Sequence, residues 1–259
     1  MGIKLIATDM DGTLLDSQKR LPEDFGLWVK SHTDIKVVIA SGRQFFALRR
    51  DLSDLEEYLV FIAENGGLVF DQGEIIYCDQ MNVECVRECA AIFKTMDGVS
   101  PIACGAESAY IIKPTDEELD NARMYYAHLK VVSDIEEALA CDTIVKLALF
   151  VHNYKAEEKL PVFDGLKDRV DVVLSGTSWI DFANYSANKG SAMSAIMEKY
   201  GVDKSEAMAF GDYLNDYSLL QCCEESYCME NGRPELKAIA KHIAKSNDED
   251  GVMEVLRSL

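Results

Sequence analysis

Short, nearly unbroken apolar runs constrain this chain most. Ile3–Ala7 lies almost at the N-terminus, and Ile35–Ala40 (IKVVIA) and Val60–Ala63 follow it. A strand with one wet face alternates apolar and polar residues. A run that is apolar throughout is buried on both faces, as in a parallel sheet covered by helices. Between these runs, Pro22–Ser31 and Phe45–Leu52 read as helices, while Gly67–Phe70 and Glu74–Tyr77 flank Asp71-Gln72-Gly73 as a hairpin. Parallel strands with helical crossovers predict an α/β fold with a doubly wound, Rossmann-like core. Ligands of such a fold sit outside the C-terminal ends of the strands.

The middle of the chain reads differently. Val83–Met96 has the period of an amphipathic helix. Short strands are expected at Ile102–Cys104 and Ala109–Ile112, and a helix near Thr115–Leu129. A strand at Thr143–Val151, a helix near Ala156–Leu166 and strands at Val170–Leu174 and Trp179–Phe182 complete an inserted α+β domain. Alternation then resumes, with Asn188–Tyr200 and Asn215–Cys222 helical, and Ala207–Phe210 and Ser226–Met229 extended. The expected organisation is a core from 1–81 and 185–259, with the insert at 82–184.

Composition narrows the function. The formal charge is −19, which argues against nucleic acid, whose phosphates require Lys and Arg. A small anion can still bind, because a site feels its own cations while distant charge is screened beyond about 8–10 Å. No apolar run is long enough to span a bilayer, and no cleavable signal pattern precedes the first strand, so a cytoplasmic location is expected. Eight cysteines are present, none in a C-x-x-C pair, which predicts reduced thiols and no zinc site. Neither a Walker loop nor a G-x-G-x-x-G occurs.

Polar strings stand at the ends of the apolar runs. Asp9-Met10-Asp11-Gly12-Thr13 follows the first. Two carboxylates two residues apart can face one way from an extended chain and hold a divalent cation. One can attack while the other moves a proton. An acidic turn is the plain alternative. Ser41-Gly42-Arg43 follows IKVVIA, where a hydroxyl and free amides make a phosphate seat. Arg43 could reach a phosphate or a substrate oxygen. Glu64-Asn65-Gly66-Gly67 ends the third run. Lys189 begins a helix, where a cation opposes the macrodipole and gains nothing for stability alone. Gly211-Asp212-Tyr213-Leu214-Asn215-Asp216 follows another strand; metal binding and helix capping both suit its acids. Asn231-Gly232 reads as a turn.

Taken together, these strings resemble the haloacid dehalogenase superfamily, and within it the Cof-type phosphatases with a large α+β cap. DMDGT, IASGR, NKG and GDYLND occur in the order of that family's motifs, and the ENGG string and the closing Asp250-Gly251-Val252 fit as well. One departure is Cys228-Met229-Glu230-Asn231-Gly232, where relatives commonly carry a Met-Gly-Asn-Ala-like string. The resemblance implies a Mg²⁺-dependent phosphatase with Asp9 as nucleophile and Asp11 as proton shuttle. It implies Mg²⁺ on Asp9, the Asp11 carbonyl and Asp212, with Asp216 in support. Gly12, Ser41, Lys189 and Asn215 would hold phosphoryl oxygens, and Arg43, Glu64 and Asn65 would reach substrate. The expected partner is a small phosphorylated metabolite, with sugar phosphates as the first candidate class and neither nucleic acid nor membrane, on a monomer or small homo-oligomer. A phosphomutase and a catalytically silent phosphometabolite-binding regulatory module are the alternatives.

Overall fold

The computed structural model describes residues 2–259. Alternation opens the chain with β1 (Leu5–Asp9), α1 (Phe25–Ser31), β2 (Lys36–Ala40), α2 (Phe45–Asp51) and β3 (Leu59–Ala63). β4 (Leu68–Asp71) and β5 (Glu74–Cys78) form the hairpin expected around Gln72-Gly73. The middle holds α3 (Val83–Phe93), β6 (Val99–Gly105), β7 (Ala109–Ile112), α4 (Asp116–Tyr125), β8 (Leu129–Val132), α5 (Ile135–Cys141), β9 (Ile144–Val151), β10 (Asp171–Leu174) and β11 (Trp179–Ala183). The rest holds α6 (Lys189–Tyr200), β12 (Ala207–Gly211), α7 (Tyr217–Cys222), β13 (Glu225–Met229), α8 (Pro234–Lys237), β14 (His242–Ala244) and α9 (Gly251–Leu256).

Two compact units result. One comprises residues up to Tyr77 and from Asn188 onward; the other is Cys78–Ala187. The first carries an eight-stranded sheet in the order β14-β13-β12-β1-β2-β3-β4-β5. Its pairings are parallel from β14 to β3, and β4 turns antiparallel on β3. The apolar runs behave as their composition demands: β1 and β3 are buried along their whole length. Strand order reverses at β1, flanked by β2 on one side and β12 on the other. The C-terminal ends of these strands therefore surround the switch point of a doubly wound sheet, where such folds place ligands.

The second unit has a six-stranded sheet ordered β10-β11-β9-β6-β7-β8. One of its faces packs on Val86, Cys89, Phe93, Phe163 and Ile135; the other meets Ala122 and Tyr126. Two expectations need correction here. The helix expected near Thr115–Leu129 stops at Tyr125, because Tyr126 turns extended, and Leu129–Val132 becomes a strand parallel to β7. α5 follows, started by the Asp134 side chain accepting from Glu137 N. The segment Ala156–Leu166 is 3₁₀ and not α. Pro161 lies inside it and lacks the N–H an α-helix would use.

All eight cysteines are free. Among the described residues no helix is long and apolar enough to cross a membrane.

Candidate active site

Asp9 is the last residue of β1, 5% exposed. Lys189 Nζ lies 2.5 Å from Asp9 Oδ1 and 2.5 Å from Asp216 Oδ1. Lys189 opens α6, and Asn188 caps that helix by accepting from Ser191 N. The unfavourable helix-end lysine is thus compensated by two carboxylates. Asp216 is fully buried, and its second oxygen accepts from Asp212 N and Tyr213 N. It ties the lysine to the loop after β12. The Thr13 hydroxyl donates to Asp212 Oδ1 at 3.2 Å. Gly12 has φ +89°, and a Cβ there would stand 2.5 Å from Asp212 Oδ2. Only glycine lets the two acidic loops approach this closely.

Ligand oxygens of Asp9, Asp212 and Asp216 all lie within 4.8 Å of one another. Burial pushes the Asp9 carboxyl up to about 7 against the pull of the Lys189 ammonium, and the Asp216 and Asp212 charges add to the rise. Asp212 is raised to about 6, again by burial first and by Asp216 next. Burial opposes the Lys189 charge, yet the Asp216 and Asp9 carboxylates outweigh it and hold its pKa above the ordinary lysine value. Three carboxylates sharing one ammonium leave a surplus of hard, negative oxygen. That donor set fits a divalent cation such as Mg²⁺.

The proton-shuttle candidate faces elsewhere. Arg43 Nε and Nη2 clasp the Asp11 carboxylate at 2.8 and 2.6 Å, and Lys19 Nζ joins at 2.7 Å. Burial would raise Asp11, but hydrogen bonds from Arg43 and Lys19 prevail and hold it below the usual carboxylate range. Arg43 also reaches Asp51 at 3.2 Å. Its guanidinium is therefore engaged by carboxylates of its own chain. Sequence reasoning missed Lys19, which stands in a loop with no period to mark it.

Ser41, 2% exposed, sits where β2 ends, and its backbone interlocks with the next loop: Ser41 N donates to Ile62 O and Asn65 N to Ser41 O. Asn215 Nδ2 donates to Asn65 Oδ1 at 3.1 Å. Both Glu64 and Asn65 adopt positive φ, and Glu64 is buried. The structure brings together Asp9, Lys189, Asp212 and Asp216, with Gly12 packed on Asp212. It joins Asn215 to Asn65 beside Ser41, and holds Asp11 with Arg43 in a separate ion cluster.

A model of the haloacid dehalogenase-like hydrolases matches residues 6–256. The chain belongs to the haloacid dehalogenase-like hydrolase family. This is the family its motifs resemble, and the α/β core with an α+β second unit agrees with it. The chain is similar to 5-amino-6-(5-phospho-D-ribitylamino)uracil phosphatase YbjI of Escherichia coli, 30% identical over 265 residues, 99% of this chain and 96% of the relative. Phosphatase YwtE of Bacillus subtilis, named for the same reaction, is 28% identical over 279 residues, 96% of each chain. A crystal structure from Eubacterium rectale superposes with a TM-score of 0.87 at 26% identity, covering 99% of this chain and 98% of that one. Membership of the haloacid dehalogenase-like hydrolases and these named phosphatases support an enzyme that hydrolyses phosphoric monoesters.

Proposed function

We propose that the protein is a Mg²⁺-dependent phosphatase of a small phosphorylated metabolite, working through an aspartyl phosphate on Asp9. The observation that carries this reading is Lys189 Nζ lodged between Asp9 and Asp216 at 2.5 Å, beside Asp212. A carboxylate attacking a phosphate dianion meets strong repulsion, and a buried ammonium offsets it. Asp9 Oδ forms a bond to phosphorus as the ester oxygen leaves with its electron pair. Water then attacks phosphorus, releases inorganic phosphate and restores Asp9.

Asp11 serves both halves. Ionised, as its Arg43 and Lys19 partners hold it, it accepts the proton of the attacking water. Donation to the leaving alkoxide requires a protonated Asp11, and so requires those partners to let go. Asp9, the Asp11 carbonyl and Asp212 would hold Mg²⁺, with Asp216 in support. When bound, the metal supplies positive charge against the phosphoryl oxygens and orients them. Gly12, Ser41 and Asn215 offer amide and hydroxyl donors to the same oxygens. Arg43, Glu64 and Asn65 remain candidates for substrate contact, and residues 82–184 are read as the cap that selects the leaving group.

Two relatives are named for a ribityl phosphate substrate and another as an HMP-PP phosphatase. A phosphorylated sugar or sugar alcohol is therefore the first class to assay. Released inorganic phosphate is measured across sugar phosphates, nucleotides and cofactor phosphates with Mg²⁺, and turnover of at least one class is expected. An isomerised product without released phosphate would establish the phosphomutase. Tight binding without turnover would establish the regulatory module. Asp9, Lys189 and Asp212, together in one cluster, favour turnover.

A further inference from the structure

The turn that follows β13 grips both acidic loops of the site. Arg233 N donates to Asp212 O at 2.8 Å, and Asn231 Nδ2 donates to Gly12 O at 2.7 Å. Between them, a Cβ on Gly232 would lie 3.0 Å from Asp212 O, 2.9 Å from Met229 O and 2.7 Å from Cys228 Sγ. The backbone therefore passes close against Asp212, and a side chain there would press on the Asp212 carbonyl. The turn is itself anchored: Gly232 N donates to Met229 O and Glu230 N to Ala244 O.

Both ends of the Asn231 amide are in use. Its Oδ1 accepts from Asn247 N at 3.1 Å. Asn247, in turn, sends its buried Nδ2 to Leu15 O at 2.8 Å. A backbone N–H only donates and a carbonyl only accepts, so the two partners dictate which way the Asn231 amide faces. Only a group with a donor and an acceptor on one short stem satisfies both. A carboxylate there would set an oxygen against the Gly12 carbonyl.

We propose that the 229–233 turn sets the spacing between the Asp9–Gly12 loop and Asp212, with Asn231 as its positioning residue. The proposal rests on the phosphatase reading above. Asn231 acts through the peptide that joins Gly12 to Thr13, and the Thr13 hydroxyl meets Asp212. Releasing Gly12 O frees that peptide to rotate, and the metal and phosphate donors lose register together. The Glu230 departure from the family string leaves this arrangement intact, because Glu230 takes part through its backbone.

The test uses the full chain and Asn231→Asp and Asn231→Ala. Hydrolysis of p-nitrophenyl phosphate with Mg²⁺ is followed beside Mn²⁺ binding by electron paramagnetic resonance without substrate. Supporting groups around a metal are worth about 10–100-fold in affinity or activity. Losses of that size are expected in kcat and in Mn²⁺ affinity, with KM little changed. The isosteric Asp variant should lose at least as much as Ala, and it carries the test if Ala does not fold. A lower Tm with kcat and Mn²⁺ affinity of the wild type would overturn the proposal. If the wild type itself releases no phosphate, the phosphatase reading fails, and the Mn²⁺ comparison alone decides the role of Asn231.

Discussion

Two lysines are buried among the described residues, one in each compact unit, and they have opposite surroundings. Lys189 stands at a helix start beside the switch point, 2.5 Å from two carboxylates. Lys146 stands mid-strand in β9, and the Asp181 carboxylate of the adjacent strand lies 3.6 Å away. Loops from several strand ends converge on Lys189, so its charge is shared by residues distant in sequence. Lys146 has an ion-pair partner in its own sheet. Burial of a cation alone therefore does not single out a site; what distinguishes Lys189 is burial where strand ends converge.

The strongest way to break this contrast is at Asp9, the proposed nucleophile. Asp9→Asn should cut phosphate release by about 10⁴-fold or more with an unchanged circular dichroism spectrum. A near-normal rate would remove Asp9 from the chemistry. Lys189→Met comes next. Its kcat should fall by about 10²–10³-fold. Stripping the cation from two buried carboxylates should also cost about 3–5 kcal/mol in urea melts.

A smaller effect concerns pH and metal. Asp9 and Asp212 have folded pKa values of about 7 and 6, above the ordinary 3.8. The folded chain therefore holds these protons more tightly than the unfolded chain does. The stability they contribute is full below pH 3.8 and is lost as pH rises through 6 to 7. In EDTA, Tm should decline across that window, and the Tm gained on adding Mg²⁺ should grow with it. An equal Mg²⁺ increment at pH 5 and pH 8 would contradict the shared-charge account. The smallest activity change is expected at the other lysine. Lys146→Met should lower stability by about 1–3 kcal/mol and leave kcat near wild type. A loss matching that of Lys189→Met would show that the second unit's lysine works on substrate, and the contrast would fall.

Much of this was legible because burial on both faces writes itself into composition. β1, β2, β3 and β12 are apolar runs, and Asp9, Ser41, Glu64 and Asp212 end or follow them. The direction of long side chains was not legible. Arg43 leaves a turn, and nothing local says that its guanidinium will clasp Asp11 and Asp51. β8 and α5 were missed for a different reason. Leu129–Val132 is four residues long and runs on from a helical pattern, while the cap at Asp134 and Glu137 was the available signal. Asn231 read as a turn residue because its partners, Gly12 and Asn247, are chosen by the fold.

The central strand of the first unit has a consequence for how the molecule comes into being. β1 is made well before β12, yet on one side it pairs with that strand, and Asp9 meets a lysine 180 residues further along. Contacts of such sequence separation form slowly, because loop closure precedes any reward. During synthesis the second unit, continuous in sequence, can fold while β1 still lacks that neighbour. Asp9 therefore stays without Lys189, Asp212 and Asp216 until residues from 189 onward emerge. The acidic cluster is completed only after the residues on both sides of the second unit have been made.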